Sequence, residues 1–358
     1  MHRPAWTMLL AACAFVAAAG CVHDTPSAPG IVSFSTGNPV NTGSSEPYTL
    51  AVIGDMPYGP AKLAELPSLI ASINGDAKVD LVVHLGDIKA GSSSPCTDAY
   101  FDTVKTLFDG FKDPLVYTPG DNEWTDCHVA SKNNGLYTPT ERLQAVRALF
   151  FPVAGQALGG RKKRLVTQAD DPANSAYVEN TMWMESQVVF AALNITGSNN
   201  DLASWGSPLP ADAASYPSQV QEVASRAQAN RAWLARAFAT AAENGAAGVV
   251  LLFQADMWDP TAALSGFDAL VLQIGNLAAA FGKPVLLLEG DSHVFRVDHP
   301  YTAASPLFVM HSGTPIAGNV TRVVVEGSAA GRTEYLRLTV DPKGQGTDLF
   351  TFERVPLQ

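Results

Sequence analysis

The chain has 358 residues, 47% of them hydrophobic and 16% charged, which is ample for one large core or two ordinary ones. The formal net charge is −11. Without an extended basic face the chain is a poor partner for nucleic acid, whose sequence-independent binding rests on Lys and Arg contacts to phosphates. The acidity is consistent with a metal site but does not demand one.

Residues 1–20 read as a targeting segment. Arg3 supplies positive charge, and residues 8–19 form a run of apolar and small residues too short for a comfortable transmembrane helix. Ala18-Ala19-Gly20 stand directly before Cys21. That arrangement resembles the processing box of bacterial lipoproteins. It implies that Cys21 becomes the lipidated first residue of a protein secreted across the inner membrane and anchored in the envelope, on its periplasmic or cell-surface side. The alternative is an ordinary signal peptide cut nearby, with Cys21 incidental. Residues 21–47 are rich in Ser, Thr, Pro, Gly and Asn and read as a flexible tether. Folding is expected from about Tyr48, and no composition break divides 48–358, so one domain is expected there.

Strands and helices then alternate. Residues 48–55 read as a strand, 61–73 as a helix, and 79–87 as a near-continuous apolar strand of the kind a doubly covered sheet requires. Residues 98–108 read as a helix, 114–117 as a strand, and 140–150 as a helix with Thr140 as N-cap. Residues 151–175 have no clear period. Residues 187–195 are an expected strand and 197–217 a polar loop. A long helix over 218–242 would turn Val220, Val223, Ala227, Leu234, Ala237 and Phe238 to the core. Strands at 248–253 and 284–289 flank a helix at 267–281. The tail offers β segments at 307–310, 321–325, 335–340 and 349–352. The βαβ rhythm and β-rich end point to sheets covered by helices, with the tail completing a second sheet.

Four apolar runs end in Gly-Asp, at Asp55, Asp87, Asp121 and Asp291; the last continues into Ser292-His293. A buried strand followed by a Gly turn delivers a carboxylate to the carboxyl edge of a sheet, where open α/β sheets place ligands. Four carboxylates gathered at low dielectric repel, so they need a cation or must protonate. A divalent-metal site is therefore expected. With Cys13 in the signal and Cys21 lipidated, Cys96 and Cys127 remain. In an oxidising compartment they are expected as a disulfide clamping two loops beyond the Gly-Asp strand ends. Thiolate metal ligation is the weaker alternative, since neither cysteine belongs to a CxxC pair.

In order, the signals are Gly54-Asp55-Met56-Pro57, Gly86-Asp87, Gly120-Asp121-Asn122-Glu123, Gln254-Ala255-Asp256 and Gly290-Asp291-Ser292-His293. This series resembles the calcineurin-like metallophosphoesterase superfamily, whose pattern runs Asp-x-His, Gly-Asp, Gly-Asn-His-Asp/Glu, a strand-end His, then Gly-His-x-His. The resemblance covers about residues 48–295. It implies a four-layer αββα sandwich in the α/β class, with the tail in the second sheet. It further implies that Asp55 and Asp87 are metal ligands, with Asp87 bridging, and that His293 is the second His of the last motif. The departures are specific. Pro57 stands where a metal His is usual, Asp121 for a metal Asn, Asn122 for a catalytic His, Gln254 near the strand-end His, and Asp291 for the first His of the last motif.

The implied cation sites are Asp55, Asp87 and His293 for one, and Asp87, Asp121, Asp291 and Gln254 for the other. Oxygen-rich donor sets favour Mn²⁺, Mg²⁺ or Ca²⁺ over Zn²⁺. The implied activity is hydrolysis of a phosphoric mono- or diester, on a phosphorylated small molecule or envelope component, by a metal-bound hydroxide. Asn122 donates a hydrogen bond but cannot serve as a general acid near neutral pH. Slow catalysis, or leaving groups that need no proton, is expected. Two rivals stand beside this reading: a non-catalytic relative holding one structural cation, and an envelope binding protein for a phosphorylated or acidic ligand.

Several residues have ordinary roles available. His84 reads as a core or supporting His. His128 reads as a surface-loop residue, with replacement of the absent catalytic His as the alternative. Gln254 and Asp256 compete for one ligand position. Trp124 and Trp258 suit a substrate cleft or plain packing. Arg161-Lys162-Lys163-Arg164 reads as a solvated loop, with attraction of an anionic substrate as the alternative. Gly197-Ser198-Asn199-Asn200 reads as a turn, or less simply as a substrate loop.

Overall fold

Along the first strand, β1 (Tyr48–Ile53), alternate side chains enter different cores. Leu50 and Val52 pack into one apolar cluster, Ala51 and Ile53 into another. This period-2 sorting on a strand buried on both faces sets the layering of the molecule. The computed structural model describes residues 1–2, 44–91, 94–129, 137–205, 215–344 and 346–357. Nearly all of the expected signal and of the tether, Cys21 included, lies outside the described residues.

After β1 come α1 (Gly59–Gly75), β2 (Leu81–His84), α2 (Asp98–Phe108), β3 (Leu115–Tyr117) and α3 (Pro139–Phe150). β4 (Val166–Thr167), β5 (Thr181–Glu185) and β6 (Val188–Ala192) lead to α4 (Ser215–Glu243), β7 (Gly248–Leu252), α5 (Asp268–Phe281) and β8 (Val285–Glu289). The chain finishes with β9 (Arg296–Asp298), β10 (Val320–Val324), β11 (Glu334–Val340) and β12 (Phe350–Pro356). One sheet has the order β12-β11-β1-β2-β3, the other β4-β5-β6-β7-β8-β10-β9. β1, β2 and β3 are parallel, as are β6, β7, β8 and β10.

Three apolar clusters separate four layers. Leu50, Val52, Leu81 and Val83 meet Phe190, Leu252, Leu286 and Leu288 between the sheets. α1 to α3 cover the first sheet through Leu69, Ile73, Phe101, Phe108, Val146 and Phe150. α4 and α5 cover the second through Trp233, Leu234, Ala237, Val271 and Ile274. The result is the expected mixed α/β architecture, an αββα sandwich.

Some local expectations need correction. The tail does not complete the second sheet by itself. β9 and β10 join it, but β11 and β12 return to the first sheet, antiparallel beside β1. β11 fits there because Leu336 and Leu338 enter the inter-sheet core while Tyr335 enters the helix-side core. Residues 307–310 are not a strand but part of a 3₁₀ turn, Pro306–Val309. Ser305 caps it, accepting from the Leu307 amide at 3.3 Å, and Pro306 suits the first turn. β5 and β9 lacked a sequence signal; β5 is fixed by Trp183 stacking on Phe190 at 5.0 Å. The α3 N-cap is Thr138 with Pro139 following it, not Thr140. Val220 is 66% exposed and does not reach the core.

Beneath the carboxyl ends of β8 and β10 lies a buried ionic knot. Arg322 donates to Asp256, to Glu289 at 3.2 Å and to Asp298 at 2.9 and 2.6 Å, with Trp258 under its guanidinium at 5.3 Å. A buried carboxylate without such a partner would be costly. The knot therefore fixes the chain on either side of Glu289, where Gly290-Asp291 begins.

Candidate metal centre

The carboxyl ends of both sheets converge on one edge. β1 delivers Asp55, β2 Asp87, β3 Asp121 and β8 Asp291. Asp55, Asp87, Asp291 and His293 all have left-handed backbone (φ 54°, 57°, 69° and 64°). Asp adopts that region more readily than most residues. Backbone bonds tie the turns together: Asp55 N donates to Gly86 O (2.9 Å), Ser328 N to Asp55 O (2.9 Å), and Gly290 N to Gln254 O (2.8 Å).

The glycines make room for carboxylates of other turns. A Cβ on Gly120 would lie 2.1 Å from Asp87 Oδ1, and one on Gly290 2.5 Å from Asp55 Oδ2. Gly120-Asp121 and Gly290-Asp291 thus serve twice, each supplying one carboxylate and admitting another.

Donor atoms of Asp55, Asp87 and His293 lie within 4.8 Å of one another, and so do those of Asp87, Asp121 and Asp291. Asp87 belongs to both groups, at the position expected of a bridge. Asp55, Asp87 and Asp121 are buried and Asp291 is half-buried, and the hydrogen-bond partners they have are mainly neutral. Both oxygens of Asp55 face the Asp291 amide (2.9 and 3.0 Å). Asp87 accepts from the Asn122 amide (3.1 Å), Asn122 Nδ2 (2.5 Å) and Tyr58 Oη (2.8 Å). Asp121 accepts from Gln254 Nε2 at 3.1 Å and faces Ser198 Oγ at 2.8 Å.

Burial, then mutual repulsion, raises these carboxyls. Asp87 is pushed well up by burial, then by Asp121, Glu123, Asp55 and Asp291. Asp55 and Asp291 are also well up, with burial the leading cause in each. Asp121 is pushed up to about 7 by burial and by Asp126. Ser198 Oγ lies 2.8 Å from Asp121 Oδ2 and 2.7 Å from Asp126 Oδ1, and its single hydrogen serves both contacts. Burial lowers the His293 pKa, which favours the neutral ring that ligates metals. Carboxylate oxygens with one imidazole, held close and poorly compensated, fit a hard divalent cation.

Other candidates fall into supporting places. Asn122 touches Asp87 as described. Gln254 uses its oxygen on the Gly197 amide (2.6 Å) and turns its nitrogen to Asp121, so it stands behind Asp121 instead of adding a donor oxygen. Asp256 is taken by Arg322 and the Trp258 amide. His84 is neutral, its pKa lowered to about 4 by burial. Its Nε2 donates to Met56 O (2.9 Å) and its Nδ1 accepts from Gly86 N (3.2 Å), joining the first two Gly-Asp turns. His128 bonds Thr125 O (2.7 Å) in its own turn. Trp124 and Trp258 are buried packing residues under Arg226 and Arg322. Arg161 and Lys163 pair with Asp113 and Glu185, near the start of β1 and away from this edge. Cys96 and Cys127 form a disulfide with Cα atoms 5.9 Å apart, closing the loop between the second and third Gly-Asp turns.

Sequence reasoning missed three participants. Tyr58 reaches into the first group. Glu123 Oε1 accepts from Gly120 N (2.7 Å), Tyr117 Oη (2.7 Å) and Asp87 N (3.2 Å), pinning two Gly-Asp turns. Ser198 opens a run of left-handed residues through Asp201 (φ 51–65°), a costly conformation for non-glycine residues. For Tyr58 the only available signal was its place three residues after Asp55.

The raised carboxyls fix a pH response. In metal-free protein the raised carboxyls hold protons that the unfolded chain releases near pH 4, so their contribution to stability is full below that and, for Asp121, is lost as pH rises through about 7. Melting temperature without metal should fall by several degrees between about pH 5 and pH 8. Mn²⁺ should restore more at the higher pH, since it binds the ionised form. Differential scanning calorimetry with and without Mn²⁺ checks this; a flat metal-free profile would contradict it.

Residues 48–213 match the family model described as calcineurin-like phosphoesterase. A search of curated proteins finds no match. Among solved structures the chain is similar to "GAP50 the anchor in the inner membrane complex of Plasmodium", at 11% identity and TM-score 0.44, covering 87% of this chain and 89% of that one. Residues 48–213 thus carry a calcineurin-like phosphoesterase domain, in line with the motifs and the αββα layers.

Proposed function

We propose that this protein is a metal-dependent hydrolase of phosphoric mono- or diesters. The observation that carries the reading is Asp87, shared between two groups of donors at the joint edge of both sheets. Divalent cations held there would neutralise a phosphate and make a water acidic enough to attack near neutral pH. The oxygen-rich donors favour Mn²⁺, Mg²⁺ or Ca²⁺.

The chain's own residues position and restrain. Asn122 grips Asp87 through its backbone amide and Nδ2, and Nδ2 also donates to Tyr58 Oη at 3.1 Å. Both protons of that amide are thus committed, and an amide has no proton to give a leaving group. Esters with good leaving groups are therefore the better substrates. The disulfide and Glu123 hold the Asn122 turn in place; closing a loop of 31 residues contributes about 3–4 kcal/mol. The missing acid also favours a second reading, in which the domain binds a cation or ligand in the envelope with little turnover.

Purified protein with Mn²⁺ should hydrolyse p-nitrophenyl phosphate or bis-p-nitrophenyl phosphate, and methyl phosphate far more slowly. Asp87→Asn should reduce that rate on the order of 100-fold or more. Turnover unchanged by Asp87→Asn would overturn the hydrolase reading, and bound metal without turnover would favour the second one.

We also propose that Cys21 is lipidated and tethers the domain to the bacterial envelope, on the strength of Ala18-Ala19-Gly20 before it. Cys21→Ala should move the protein from the membrane to the soluble fraction on cell fractionation. A wild-type protein already soluble would refute the anchor.

A further inference from the structure

The first donor group already surrounds an atom of the chain itself. Tyr58 Oη lies 2.8 Å from Asp87 Oδ2, 3.2 Å from His293 Nε2 and 3.5 Å from Asp55 Oδ1. These three residues form one of the two donor groups. Cation–donor distances in such a site are about 2.0–2.6 Å. An ion drawing in the same three atoms would compete with the phenol oxygen for one small space.

The phenol is also well bonded where it is. It donates its one proton to Asp87, accepts from Asn122 Nδ2 at 3.1 Å, and meets the His293 ring edge-on with centroids 5.3 Å apart. Its backbone is fixed by the Tyr58 amide donating to Ser328 Oγ at 3.3 Å, directly before α1. In the opposite group Asp121 accepts from Gln254 Nε2 and faces Ser198 Oγ, and among the described residues no hydroxyl is bonded to Asp87, Asp121 and Asp291 together. Pro57, where the family pattern carries a metal His, leaves the first group one donor short.

We propose that the Tyr58 hydroxyl takes the place of a cation in the Asp55–Asp87–His293 group, so that the chain binds one divalent ion tightly at Asp87–Asp121–Asp291 and a second only when the phenol gives way. The proposal rests on the metal-dependent reading above and deepens it. Tyr58 acts as an occupant of the site, and the second ion's affinity measures how firmly it is held.

Mn²⁺ binding to the mature protein, followed by calorimetric titration and by electron paramagnetic resonance, tests this. Wild type should take up one ion tightly and a second at least about tenfold more weakly, the worth of a hydrogen bond to a charged group. Its one-equivalent spectrum should be that of an isolated ion. Tyr58→Phe should tighten the second step by about tenfold, leave the first unchanged and strengthen the spin-coupled signal at two equivalents. Two equally tight sites in wild type would overturn the proposal even if the variant failed to fold. Weaker binding in Tyr58→Phe would also overturn it, showing the phenol to be a ligand. Absence of Mn²⁺ binding in wild type would overturn the metal reading itself, and this proposal with it.

Discussion

Four aspartates brought to one edge of a double sheet repel, and much of this domain is arranged around that repulsion. Burial raises the cost of each charge, and the raised pKa values of Asp55, Asp87, Asp121 and Asp291 follow from it. Neutral donors from Tyr58, Asn122, Gln254 and backbone amides offset part of the cost. What they leave over would be the driving force for the cation proposed here. The αββα layering exists in the sequence for ordinary reasons of strand burial, but the edge it creates is what gives the carboxylates a common address.

The supporting structure works by fixing turns. His84 joins the first turn to the second, Glu123 joins the second to the third, and Arg322 anchors the strand that leads to the fourth. Each is a buried polar group whose partners are backbone atoms or charged side chains, so each rigidifies its neighbourhood. The glycines beside them work by being small, since a methyl at Gly120 or Gly290 would occupy the space of a carboxylate. A Gly-Asp pair at a strand end is therefore a contact between motifs far apart in the chain, as well as a turn.

Much of this was legible in the sequence. The runs before Asp55, Asp87 and Asp291 are apolar enough to announce buried parallel strands, and the following Gly-Asp places the carboxylate. The grouping of Asp87 with both sets was implied by the family resemblance that those motifs carry. What escaped were contacts that depend on where a side chain points after a turn. Tyr58 reaches Asp87 only because α1 begins directly behind it, and nothing in its composition signals that. Ser198 reaches Asp121 across 77 positions through a left-handed turn that Gly197-Ser198-Asn199-Asn200 only permits. Gln254 has the right address but turns its nitrogen inward, because its oxygen is taken by Gly197. The tail was misplaced for a different reason: β11 turns Leu336, Leu338 and Val340 into the core that both sheets share, so pattern alone did not choose its sheet.

The departures from the family pattern have a common direction. A proline, an asparagine, a glutamine and Asp291 stand for histidines and Asp121 for an asparagine, which removes proton donors and adds negative charge, so on the proposed reading the centre would hold cations by charge and have little means of delivering a proton. The proposed hold of the shared Asp87 and its neighbours on a divalent cation is tested most directly by anomalous diffraction from crystals grown with Mn²⁺. An anomalous peak bounded by oxygens of Asp87, Asp121 and Asp291 is expected. Density free of Mn²⁺ in that space at saturating metal, or Mn²⁺ bound only elsewhere, would contradict it.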